Sequence, residues 1–246
     1  TNATDKAFEK YLNQVQPDVV HSFALYVSCS PLINIMEKHP DINWIYSSWG
    51  SDLYYFQNTP HYLEDIKLVL PRVNYLFTDC KRDFQIAQQY GFRGKYLGVF
   101  PGGGGFKFDP NTTPVIPENR NIILIKGFQG RSGRALTILK AILKLEQSLK
   151  KYEIITFGCD PEVVSFIKHS QLQDWKNFEY LGRISHAKVL HYMSNAYIYM
   201  GNSNSDGLPN TLLEAICYAA FPIQSNPGGA TAEIIDHTVN GLLIED

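Results

Sequence analysis

A chain of 246 residues has room for one or two domains at about 150 residues each, and a composition 44% hydrophobic and 19% charged is that of a globular protein with material for a core. Lysine and arginine together number 22 against 24 aspartates and glutamates, a formal charge of -2. That excludes a protein that coats nucleic acid through a massed positive surface, though a few local cations suffice for a small phosphorylated ligand.

Cys29, Cys80, Cys159 and Cys217 form no CxxC pair, no histidine array has metal-site spacing, and there is neither an apolar run near ~18 residues nor a basic leader. The expectation is a soluble cytoplasmic protein in a reducing compartment, without a bound metal. Short apolar runs predict strands over residues 18–23, 42–48, 75–78 and 95–100, with a helix over 80–90 that Gly91 stops. Apolar strands that are continuous rather than alternating, separated by crossover-length helices, predict a parallel sheet. Pro101, four glycines at 102–105, and Pro110, Pro114 and Pro117 then resist regular structure. This divides the chain into a first domain over 1–106, a Pro-rich linker over 107–119 and a second domain over 120–246.

The alternation restarts with strands over 121–125, 152–157, 178–181, 196–200 and 221–224. Helices are expected over 134–149, 161–169, 185–193 and 212–220, the first with Ile138, Leu139, Ile142, Leu143 and Leu145 on one face. The fold class is α/β, and two such domains facing each other create a cleft, a natural ligand site.

Chemistry concentrates beyond the carboxyl ends of the expected strands, where open α/β sheets bind ligands. Lys126-Gly127-Phe128-Gln129-Gly130-Arg131-Ser132-Gly133-Arg134 joins glycines that permit a close turn, three cations and a helix N-terminus with free N–H groups, the ingredients of a diphosphate site. It is neither a GxxxxGK[ST] loop nor a dinucleotide fingerprint, and a solvated basic turn is the alternative. In Asp206-Gly207-Leu208-Pro209-Asn210-Thr211-Leu212-Leu213-Glu214, a loop carboxylate and a first-turn carboxylate can each accept from sugar hydroxyls, with a helix N-terminus between them for phosphate. A capping box tying Glu214 back to Thr211, and a plain Asp-Gly turn, are the alternatives. Two further loops, after the strand at 221–224 and at Trp49-Gly50-Ser51-Asp52, read as ligand edges or as flexible connections.

Together these stretches resemble the retaining, nucleotide-sugar-dependent glycosyltransferases of the GT-B type, family 4 (glycosyl transferases group 1). The signature EGxPxxxLEA stands here as an Asp-x7-Glu variant of the Glu-x7-Glu motif from Asp206 to Ala215. The segment 217–226 is similar to the family's ACGxPVVAS-like strand, and Gly228-Gly229 through Glu233 to Asn240-Gly241 is similar to its GGxxEII…NGLLV ending. The resemblance implies two Rossmann-like domains facing across a cleft, the first lacking its N-terminal half and the second its last helices.

It also implies that Glu214 binds the nucleotide ribose and Asp206 the donor sugar. Arg134, Lys126 and Arg131 would meet the diphosphate beside Gly127, Asn210 and Thr211, and Gly182 and Arg183 would close the nucleotide site after a strand similar to xVxFLG. Trp49, Gly50, Ser51 and Asp52 would face the sugar or acceptor. Phe128 stands where the family places an arginine, and Trp49 where a histidine often contacts the sugar. The implied reaction is retaining transfer from a nucleoside diphosphate sugar, UDP favoured over GDP, to a glycan or lipid-linked acceptor. It would use no cofactor and, for want of a DxD motif, no metal; it would take place in the cytoplasm or at the inner face of the cell membrane. A non-catalytic nucleotide-sugar-binding subunit or sensor, and a glycan phosphorylase-like enzyme, are the alternatives.

Overall fold

The computed structural model describes residues 3–103, 105–106 and 119–245, so the linker expected over 107–119 lies outside the described residues up to position 118. The chain divides into two compact units, Thr1–Gly104 with Asp206–Leu208, and Gly105–Ser205 with Pro209–Asp246.

The first unit carries β1 (Val19–Phe23), β2 (Asn43–Ser47), β3 (Tyr75–Thr78) and β4 (Lys95–Val99), all parallel and in the order β1-β2-β3-β4. A sheet that steps one place at a time through right-handed crossovers puts its connecting helices on one face. Trp44, Tyr46 and Leu76 point to that face and are buried with Leu53, Ile66, Val69, Leu70 and Ala87 from the helices. The helices Ala3–Val15 and Pro60–Arg72 were not expected from the sequence. The second begins with Pro60 at its first position and holds Pro71 in its last turn, and that prolyl punctuation hides an apolar face made by Ile66, Val69 and Leu70. The expected helix after β3 is Lys81–Gln89.

The second unit carries β5 (Ile122–Lys126), a two-residue hairpin of β6 (Gln129–Gly130) and β7 (Gly133–Arg134), then β8 (Glu153–Phe157), β9 (Phe178–Tyr180), β10 (Ala196–Gly201), β11 (Phe221–Ser225) and β12 (Leu242–Ile244). Its six-stranded parallel sheet runs β12-β11-β10-β5-β8-β9. The chain moves outward from β5 through β8 to β9, returns to the other side of β5, and moves outward again. That doubly wound path buries both faces: Ile122 and Leu124 of β5 join one core with Tyr199 and Leu212, while Ile123 and Ile125 join another with Ile138 and Leu139.

The helix expected over 134–149 is two pieces, Ala135–Leu143 and Glu146–Leu149. Leu145, counted above on the apolar face, leaves helical geometry at φ -114°, ψ 16° and is half-exposed. The helix expected over 212–220 is Asn210–Cys217. No helix among the described residues is long and apolar enough to cross a membrane.

Candidate functional site

In a doubly wound sheet the crevice for a ligand opens where the winding reverses, beyond the carboxyl ends of the two strands that flank the reversal. Here those strands are β5 and its parallel neighbour β10. The segment 126–134 follows β5, and residues 202–205 and 209–215 of the second unit follow β10, so the topology brings together two stretches that the sequence marked for their chemistry. Two backbone bonds knit them: Asn204 N donates to Arg131 O at 3.1 Å, and Arg134 N donates to Asn202 O at 2.9 Å. Gly127 lies so close to the end of β8 that a Cβ would meet Cys159 Sγ and Phe157 O at 2.8 Å, which is why the turn out of β5 needs glycine.

The hairpin of β6 and β7 corrects one expectation. The Ala135–Leu143 helix does not present a free first turn, because Ala135 N donates to Phe128 O at 3.1 Å and Leu136 N to Gln129 Oε1 at 3.2 Å. The loop that precedes the helix folds back and caps it. The positive charge of this loop is carried by the side chains of Lys126, Arg131 and Arg134, all partly exposed. Gln129 is itself fixed by Asp160 Oδ2, which accepts from its backbone N at 2.8 Å. Phe128 is 38% exposed, and Lys126 Nζ lies 4.9 Å from its ring centroid in cation–π contact.

The capping-box alternative fails on geometry. Pro209 is the N-cap of the Asn210–Cys217 helix and makes no side-chain cap, and the Thr211 hydroxyl accepts from Tyr199 OH at 2.9 Å. Glu214 is the fifth residue of the helix rather than a member of its first turn. The first amides of any helix lack an internal acceptor, and here those belong to Asn210 and Thr211. Glu214 is buried, and its Oε1 accepts from Nε2 of His186 at 2.5 Å. Sequence reasoning missed His186; a pair 28 residues apart on two helices leaves no local signal.

A cavity of about 460 Å³ opens in the same unit, lined among others by Phe128, Ser132, Gly158, Cys159, Arg183 and Val189. It contains Arg183 of the expected nucleotide residues. Gly182 lies just before it, its carbonyl accepting from Gly158 N at 3.1 Å, with open space where a side chain would stand. Burial pushes the Cys159 thiol up to about 11, so it is a neutral wall of this cavity.

Within the first unit, Trp49, Gly50 and Ser51 follow β2, and Trp49 is 54% exposed. Asp52 does not share that exposure. Its carboxylate is buried and accepts from Leu25 N at 2.8 Å, Tyr46 OH at 2.6 Å and Trp49 N at 2.8 Å. Burial pushes its pKa up against those donors. Asp52 thus organises the loop instead of facing a ligand. Asp79, at the end of β3, holds two loops through one carboxylate: Oδ1 accepts from Gly102 N at 2.8 Å and Oδ2 from Leu208 N at 3.1 Å. A side chain on Gly207 would overlap that carboxylate, and one on Gly50 would overlap the Gly207 backbone.

Asp206 belongs to this packed segment, its carbonyl accepting from Arg82 Nη2 at 2.9 Å. Arg82 also pairs with Asp83 at 2.9 Å and lies 4.0 Å over the Tyr54 ring. Burial and the neighbouring acids raise Asp79 to about 7; burial raises Asp83 to about 6 despite Arg82. No group of three or more His, Cys, Asp or Glu that could hold a metal occurs among the described residues.

A family model described as glycosyl transferases group 1 matches residues 111–246, more than half of the chain. No curated protein matches the sequence. Among solved structures the chain is similar to the pneumococcal O-GlcNAc transferase GtfA in complex with UDP and GlcNAc, with a TM-score of 0.73 and 14% identity over 100% of this chain and 50% of that one. It is similar to Anabaena Alr3699/HepE in complex with UDP-glucose, with a TM-score of 0.70 and 14% identity over 98% and 67%. Sucrose-phosphate synthase from Thermosynechococcus elongatus gives a TM-score of 0.69 and 16% identity over 98% and 63%. At these identities the likeness is one of fold, the Rossmann-like parallel sheets of GT-B glycosyltransferases. The chain spans about half the length of the pneumococcal enzyme.

Proposed function

The chain belongs to the glycosyl transferases group 1 family, and from that premise we propose that its second unit binds a nucleoside diphosphate sugar, UDP favoured, as donor in a retaining transfer to a glycan or lipid-linked acceptor. The observation that carries the reading is the coincidence at one winding reversal of three cations after β5 with a helix N-terminus and a buried carboxylate after β10. Breaking the bond from the anomeric carbon to the phosphate oxygen leaves negative charge on the diphosphate. Lys126, Arg131, Arg134 and the amides of Asn210 and Thr211 stabilise that developing charge more than they stabilise the intact donor. Glu214 accepts from the ribose hydroxyls, Gly182 and Arg183 border the nucleotide, and Gly127 lets the backbone approach it.

Asp206 takes hydroxyls of the transferred sugar, and Trp49, Gly50 and Ser51 face the sugar or acceptor, with Asp52 holding their loop. The acceptor hydroxyl attacks from the face the diphosphate leaves, and a departing phosphate oxygen takes its proton, so no protein nucleophile is required. We place the reaction in the cytoplasm or at the inner face of the membrane, where lipid-linked acceptors are within reach.

Calorimetric titration with UDP and GDP tests the donor site. UDP is expected to bind saturably and in preference to GDP. Arg134→Ala and Glu214→Ala should each weaken it by about tenfold to a hundredfold, the value of a charge-assisted hydrogen bond. A folded protein that binds neither nucleotide sinks the reading.

A further inference from the structure

We infer that His186 is a positioning residue of the nucleotide site, holding one oxygen of Glu214 so that the other is aimed at the ribose hydroxyls of the bound nucleoside diphosphate. The inference rests on the donor-site reading above and deepens it. The two side chains come from different helices. His186 opens the His186–Asn195 helix, whose N-cap Ser185 accepts from Lys188 N at 3.3 Å, and Glu214 sits in Asn210–Cys217.

Their burial is unequal: the Glu214 side chain is 9% exposed and the His186 side chain 67%. An ionised carboxylate can only accept, so the proton in the 2.5 Å bond comes from Nε2. The bond takes up Oε1 and leaves Oε2 of Glu214 as the oxygen that a ligand donor would meet. A pair with one partner this exposed contributes little to folding, so holding the two helices together does not account for it. Orienting a carboxylate does, because a glutamate has free torsions that a ligand would otherwise have to immobilise.

The surroundings supply the ligand side of the argument. Arg183 and Ile184, just before His186, and Val189, three residues after it and therefore on the same helix face, all line the cavity of about 460 Å³. His186 thus belongs to the helix whose Val189 forms part of the wall of the space assigned to the nucleotide, two residues after Ile184 of the same wall.

The test compares UDP with 2′,3′-dideoxyuridine diphosphate, which keeps the base and phosphates but lacks the ribose hydroxyls, by calorimetry on the unaltered chain, His186→Ala and His186→Gln. His186→Ala is expected to weaken UDP about tenfold while leaving the dideoxy nucleotide unaffected. His186→Gln, whose amide still donates, should recover most of the loss. Equal weakening of both nucleotides, or no weakening of either, overturns the inference and leaves the donor site standing. Failure of the unaltered chain to bind UDP overturns the donor-site reading and this inference with it.

Discussion

The two sheets are assembled from the same βα step but close differently. In the second unit the winding reverses at β5, helices cover both faces, and successive residues of β5 enter different cores. In the first unit the strands march in one direction, and among the described residues the buried cluster lies on one face only. The other face carries Val19 at 45% exposure, His21, and Phe23 at 46%, with the His21 and Phe23 rings stacked at 4.2 Å. Parallel sheets are normally covered on both faces. The difference teaches that a winding reversal does two jobs at once: it doubles the buried surface and opens the crevice in which the candidate donor site lies. Among the described residues the first unit shows no such reversal, and its polar chemistry gathers under the loops at its strand ends.

The sharpest break in this comparison is between the two faces of the first sheet. Trp44→Ala removes a fully buried ring whose Nε1 donates to Ser22 Oγ at 3.0 Å, and the expected loss is about 3–5 kcal/mol. Phe23→Ala on the open face should change stability by about 0.5 kcal/mol or less. Urea unfolding monitored by circular dichroism measures both. Equal losses would mean that the two faces are equally buried in solution.

Asp52 sharpens the comparison at the strand ends. Asp52→Ala leaves Leu25 N, Tyr46 OH and Trp49 N without their acceptor, so a loss of about 3 kcal/mol is expected. UDP affinity, which depends on the second unit in this reading, should stay within about twofold of the unaltered chain. The same urea series and the UDP titration check the two halves of this prediction. An Asp52→Ala protein as stable as the parent would return Asp52 to the ligand-facing role that the sequence suggested.

What could be read in advance follows a physical line. The strands were legible because runs such as Ile122 to Lys126 are continuous and apolar, and the site loops were legible because they follow those strands. Contacts between residues distant in sequence were not. The capping box stood as an alternative until Tyr199 took the Thr211 hydroxyl and His186 reached Glu214, and Asp52 was expected to face the sugar or acceptor, whereas Leu25, Tyr46 and Trp49 hold its carboxylate inside the unit. The hairpin of β6 and β7 was illegible for another reason: two residues a side carry no periodicity, yet their closure occupies the amides that the sequence reserved for phosphate. The helix Pro60–Arg72 was hidden by prolines placed where a helix tolerates one at its start and bends around one near its end.

The smallest expected effect concerns pH and lies in the first unit. In the first unit burial raises Asp79 to about 7 and Asp83 to about 6, against about 3.9 for an aspartate in an unfolded chain. A folded-state pKa above the unfolded one means that the native protein holds its proton more tightly. The stabilisation is therefore complete below about pH 4 and is lost as pH rises through 6 and 7. Asp79→Asn removes that titration at the carboxylate which binds Gly102 N and Leu208 N, and adds a fixed offset because an amide has one acceptor oxygen instead of two. The difference in stability between the unaltered chain and Asp79→Asn isolates the slope from the offset. That difference should shift against the unaltered chain between pH 5 and pH 8. A difference for Asp79 that stays flat, or that grows in favour of the unaltered chain as pH rises, would show that this carboxylate is ionised throughout and that the Gly102 and Leu208 amides outweigh its burial.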